Sequence, residues 1–224
     1  MSDDPINASW FELKRPPRGE LANSLTHGLA LAASLPAAAA LVAFAWLRGT
    51  GFAFAGCVVF GSTLILLYAA STAYHMAHCP RTKRVLHQLD HCAIYLLIAG
   101  SYTPFTLTLF REHWGWPLFA LVWAIAVLGI TARLIAGNRV PALSVASYLA
   151  MGWLIVLVIH PILQVLPTGG FLWLLAGGLT YTAGILFFIW DNLPHNHAIW
   201  HLFVIGGSSC HYLAVLFYVV PAKV

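Results

Sequence analysis

Two histidines four residues apart, in His197-Ala-Ile-Trp-His201, share one helical face a turn apart, near enough to grip a single cation. The spacing alone is a weak signal and fits two interfacial or hydrogen-bonded histidines better. A third imidazole strengthens the metal reading: Ser71-Thr72-Ala73-Tyr74-His75 ends the second apolar run, with Ser71 one turn deeper on the face of His75. Leu89-Asp90-His91 opens the third run. Three neutral imidazoles suit zinc, which in catalytic sites keeps a fourth position for a water that ionises near neutral pH. Asp90 fits an outer carboxylate or general base better than a fourth ligand, and Ser71 fits a donor to that water or to a developing oxyanion. Plainer roles stay open: Asp90 paired with Arg81 or Lys83 at the membrane surface, Ser71 bonded to its own helix. Glu20, Asn23 and His27 recur at a three-to-four spacing and form one polar stripe. That stripe either closes a polar network under the metal or serves as interhelical glue.

The elements that must position these groups are membrane helices. Hydrophobic residues make up 60% of the 224-residue chain and charged residues 8%, where soluble domains carry roughly 25% charge. Apolar runs of ~20 residues recur along the whole length, so the chain crosses the bilayer repeatedly. Met1-Ser2-Asp3-Asp4-Pro5 opens a segment polar until Leu21, which does not read as a cleavable signal. Cys57, Cys79, Cys92 and Cys210 lack paired spacing and read as buried thiols. The net charge of +4 is scattered between runs, so nucleic acid is not an expected partner. Lys14, Lys83 and Lys223 all fall outside the runs, which excludes a retinal Schiff base. No chain of charged residues lines a pore, which argues against a cytolysin.

Punctuation by Pro, Gly and charge places helices at about 21–46, 51–76, 87–109, 117–137, 142–164, 171–190 and 197–220. The expected fold is an all-α, seven-helix transmembrane bundle: a short cytoplasmic arm over 1–20 and one membrane domain over 21–224. With the N-terminus inside, Lys14, Arg15, Arg18, Arg81, Lys83, Arg84, Arg133 and Arg139 face the cytoplasm and Arg48, Arg111 and Lys223 the outside. Eight against three is the positive-inside bias. That orientation carries His75, Asp90, His197 and His201 to one membrane depth on the cytoplasmic side.

Glu20-x-x-Asn-x-x-Thr-His27, Ser71-x-x-x-His75, Leu89-Asp90-His91, Ile98-Ala-Gly-Ser-Tyr-Thr-Pro-Phe105 and His197-Ala-Ile-Trp-His201 together resemble the bacterial hemolysin III family, within the progestin and adiponectin receptor superfamily. The resemblance runs from Glu20 to His211. It implies a seven-helix protein of the bacterial inner membrane with zinc held by His75, His197 and His201, Asp90 and Ser71 beside it. Superfamily relatives include ceramidase-like hydrolases and hormone receptors, so the resemblance implies either a lipid amide or ester hydrolase acting in membrane-lipid homeostasis or a sensor with structural zinc. The long N-terminal region of the receptor branch is lacking. His91 stands where some relatives carry an aromatic residue, and so competes as a ligand or proton relay. Membrane lipids are the expected partners; no oligomeric state is implied.

Overall fold

The computed structural model describes residues 18–136 and 141–222. Lys14, Arg15, Arg139 and Lys223, used above for orientation, lie outside the described residues, as does nearly all of the 1–20 arm.

Among the described residues the chain is helical throughout: α1 Arg18–Arg48, α2 Gly51–Met76, α3 Pro80–Leu107, α4 Trp116–Ala136, α5 Pro141–Gly152, α6 Ile159–Val165, α7 Thr168–Phe188 and α8 Asn196–Ala214. A 3-10 stretch, Leu154–Val158, joins α5 to α6, so the two form one crossing over Leu143–Val165. Six segments are long and apolar enough to span a bilayer, and α3 is the seventh long helix. Its 28 residues extend ~42 Å, but Arg81, Lys83, Arg84 and Asp90 dilute the hydropathy of its first half. The protein is a multi-pass helical membrane bundle.

Two departures from the expected helices bear on the site, while the other bounds shift by a few residues. The third helix begins at Pro80, seven residues before position 87, because proline at the first helical turn is pre-set for φ and forfeits no hydrogen bond. The basic segment Arg81–Arg84 is therefore helical and projects beyond the apolar core. The fifth crossing breaks after Gly152. Tyr102 of α3 splices the break: its hydroxyl donates to the Gly152 carbonyl at 2.7 Å and accepts from the Ile155 N–H at 3.1 Å.

Buried stripes aim the polar groups. On α2, Cys57, Phe60, Leu64, Leu67, Ser71 and His75 are buried at spacings of three and four, so the ridge that packs the core delivers Ser71 and His75 inward. Asn23, His27, Ala30, Ser34, Ala38, Leu41 and Ala45 form the matching stripe on α1, and Ala198, His201, Val204 and Ser208 that on α8. Lipid tails supply no hydrophobic drive between helices, so close approach at small residues must hold them. At Gly56 a Cβ would lie 2.7 Å from Pro104 Cα, which leaves no room for a side chain between α2 and α3.

Candidate metal centre

His75 from α2 and His197 and His201 from α8 each offer a ligand nitrogen, and these atoms lie within 4.8 Å of one another. His75 and His201 are 5% and 2% exposed, and His197 is half-buried. The chain enters α8 through His195 in the left-handed region (φ 59°, ψ 23°), which sets the helix to begin just before His197.

The second nitrogen of two of these rings is engaged by α1. His75 Nδ1 meets Glu20 Oε2 at 2.5 Å, and the other Glu20 oxygen accepts from Lys83 Nζ at 2.8 Å. His201 Nδ1 lies 3.2 Å from the Asn23 carbonyl and 3.0 Å from Thr26 Oγ1. A ring that donates through Nδ1 presents Nε2 as a lone pair, the arrangement in which histidine ligates metal. Asn23 Nδ2 also approaches His75 Nδ1 at 3.5 Å. His27 stacks on His201, centroids 3.6 Å apart, and its Nδ1 lies 2.7 Å from Ser71 Oγ.

Three buried polar atoms find no hydrogen-bond partner among the described residues: His75 Nε2, His27 Nε2 and Asn23 Oδ1. All three belong to this one cluster. Buried polar atoms are rarely left unsatisfied, so a group gathering three of them is built around something other than protein. Of the three, His75 Nε2 belongs to the three-histidine group, whose imidazole donors are a set that zinc accepts, while Asn23 Oδ1 and His27 Nε2 stand beside it.

The remaining expected residues are nearby in different roles. Asp90 is 7% exposed, adjacent to the Ser71 hydroxyl, and outside the three-histidine group. Lys83, one of its expected partners at the surface, is bonded to Glu20 instead. Ser71 bonds His27 across α1 and α2. His91 is not among the clustered ligands; its Nδ1 lies 3.0 Å from the His87 carbonyl and 3.5 Å from Asp90 Oδ2. Thr26 stood in the quoted motif without a role, and Lys83 was expected beside Asp90 and not beside Glu20. Arg133 served only as an orientation marker, yet it is 4% exposed and faces the interior. The signal was a lone cation closing an apolar run, which in a membrane helix marks a site.

A cavity of about 510 Å³ opens directly from this cluster. Ser71, Asp90, His197 and His201 line one end, and Phe171 and Leu174 of α7 the other. Its walls are mostly apolar. In its wall Trp153 donates from Nε1 to Thr182 Oγ1 of α7 at 3.1 Å.

A family profile described as Haemolysin-III related matches residues 17–212. The chain belongs to that family. Hemolysin-3 of Bacillus cereus is 46% identical over 202 residues, covering 90% of this chain and 92% of that one. The hemolysin-3 homolog of Bacillus subtilis is 41% identical over 201 residues, 90% and 94% of the two chains. Human monocyte to macrophage differentiation factor is 30% identical over 167 residues, 70% and 67% of the two, a reach that ties the haemolysin III proteins to the progestin and adiponectin receptor superfamily. As a haemolysin III protein the chain is a multi-pass integral protein of the bacterial inner membrane.

Proposed function

We propose that this haemolysin III protein is a zinc-dependent intramembrane hydrolase of a lipid amide or ester, acting in membrane-lipid homeostasis. The observation that carries the reading is the position of the three-histidine cluster: two of its members, His197 and His201, line a mostly apolar cavity together with a carboxylate, Asp90, and a hydroxyl, Ser71. A purely structural ion has no need of a chain-sized cavity.

His75, His197 and His201 would hold the ion, and zinc there supplies Lewis acidity, acidifying a water and polarising a carbonyl. Asp90 takes the proton of the attacking water and returns it to the leaving nitrogen or oxygen. With its hydrogen on Nδ1, His27 donates to Ser71 Oγ, and the serine hydrogen, directed to Asp90 in the resting protein, turns to the carbonyl oxygen as charge develops. Glu20, Asn23 and Thr26 fix the ligand rings. The acyl chain lies in the apolar part of the cavity, away from water.

The test is turnover: zinc-loaded protein in nanodiscs, offered N-acyl and O-acyl lipids, is expected to release fatty acid detectable by mass. No release from any amide or ester in the panel would sink the hydrolase reading. A second reading has its own observation, since α1, α2 and α8 are tied together through the ligand rings, as in a structural clamp. In that case zinc removal lowers thermal stability and no lipid turns over.

The support of His75 gives a narrower expectation. Glu20→Gln loses the charged partner of His75 Nδ1 and is expected to weaken zinc binding by about 10- to 100-fold, read by competition with a chelating dye. Unchanged affinity would remove Glu20 from the site.

We place the metal end of the bundle in the cytoplasm on the bias of basic residues. Cys79, exposed in the turn between α2 and α3 at that end, reports it. A membrane-impermeant maleimide is expected to label Cys79 in inside-out vesicles and to spare it in intact cells; the opposite pattern inverts the orientation.

A further inference from the structure

Arg81, Lys83 and Arg84 crowd the start of α3, whose first turn holds no acid. Cations at that end of a helix oppose its dipole, a cost that a counter-charge from elsewhere must offset. Lys83 has one: its Nζ donates to Glu20 Oε1 of α1 at 2.8 Å and lies 5.0 Å from the centroid of the Tyr74 ring. Arg81 and Arg84 are exposed, and among the described residues neither makes an ion pair.

The row on which Arg81 stands points to its partner. Leu89 and Val85 are exposed at a spacing of four, and Arg81 continues the row one turn further, about 6 Å along the axis. None of the three lines the cavity, so the row faces away from the metal centre. A membrane helix whose outer row is apolar against acyl chains and becomes arginine where it leaves them meets headgroup phosphate at that turn. The planar fork of arginine pairs with phosphate oxygens two at a time. Arg84 is three residues from Arg81, close enough on the helix surface to share one phosphate.

We infer that the start of α3 binds an anionic phospholipid of the cytoplasmic leaflet, its phosphate on Arg81 and Arg84 and its chains along Val85 and Leu89, and that Lys83 couples this lipid to the metal centre. The Lys83 side chain is 31% exposed and lies between the two arginines in sequence, so a phosphate held there draws its ammonium away from Glu20. The Glu20 carboxylate, no longer shared, then acts on His75 Nδ1 alone. Fuller negative charge at Nδ1 makes Nε2 of that ring a stronger donor to a cation. By linkage, zinc in the site tightens the lipid by the same factor. The coupling rests on the zinc assignment and is independent of turnover.

Lipid retention tests the site. Native mass spectrometry of protein released from nanodiscs of mixed phosphatidylglycerol and phosphatidylcholine is expected to show about tenfold preferential retention of phosphatidylglycerol. Arg81→Gln combined with Arg84→Gln, at two exposed positions, should lose most of that preference. No preference in the wild type, or one unchanged in the double variant, overturns the lipid site. Inorganic phosphate should fail to displace the lipid; displacement makes this a free-anion site and overturns the lipid assignment. Zinc affinity tests the coupling: by competition with a chelating dye it should be several-fold tighter in phosphatidylglycerol discs than in phosphatidylcholine discs. A negative disc surface concentrates any cation, so Lys83→Gln and Glu20→Gln in the same discs give the size of that surface effect alone. They cut the link at opposite ends, and either serves if the other does not fold. A wild-type ratio no larger than theirs overturns the coupling. If zinc binds in neither disc, the metal assignment and the coupling fail together, while lipid retention still decides the site on α3.

Discussion

His75→Ala and His201→Ala are each expected to leave the purified protein with less than about a tenth of the wild-type zinc, because a three-imidazole site has no spare protein ligand. Metal content by mass spectrometry, normalised to protein, reads this directly. A second effect follows by linkage: an ion present at ~1,000 times its dissociation constant stabilises the folded chain by about 4 kcal/mol, so both variants should melt well below the wild type and no longer respond to a chelator. His201→Ala also removes the ring stacked on His27 and should melt lowest. His91→Ala is the control. Its Nδ1 is turned to the His87 carbonyl and it lies outside the cluster, so its zinc content should match the wild type. Loss of zinc from His91→Ala, with retention in His75→Ala, would reverse the assignment.

Asp90→Asn carries the largest expected effect on rate. Asparagine keeps the shape of the side chain beside Ser71 but cannot accept a proton from water. General acid–base groups contribute roughly 10²- to 10⁴-fold, and turnover of a cleavable acyl lipid should fall by that factor while zinc content and melting temperature hold. A drop of less than about threefold would leave Asp90 an electrostatic or packing role only. Ser71→Ala should cost less, since one oxyanion donor is lost while the ion still polarises the carbonyl.

Much of this arrangement was legible in the chain because membrane helices convert spacing into geometry. The three-to-four recurrence of Asn23 and His27, of Ser71 and His75, and of His197 and His201 needed only helical periodicity to be placed on inward faces. Partners across helices were a different matter. That Glu20 would serve both His75 and Lys83 depended on α3 starting at Pro80, which carries Lys83 along a helix and toward α1; hydropathy reads that basic stretch as a linker. The cavity depended on the break after Gly152, held open by a tyrosine 50 residues away in sequence. Nothing local to Gly152 and Trp153 announces that partner. Arg133 was visible as a charge and was read for orientation, since sequence alone does not tell a cation at a helix end from one folded into the wall beside Gln88.

X-ray absorption at the zinc edge of the loaded wild-type protein reads whether His75, His197 and His201 hold the ion with a position left open for chemistry. Three imidazole nitrogens at about 2.0–2.1 Å and one exchangeable oxygen are expected, with no sulfur scatterer. A closed shell of four protein ligands, a thiolate in the shell, or fewer than three imidazoles would contradict that assignment.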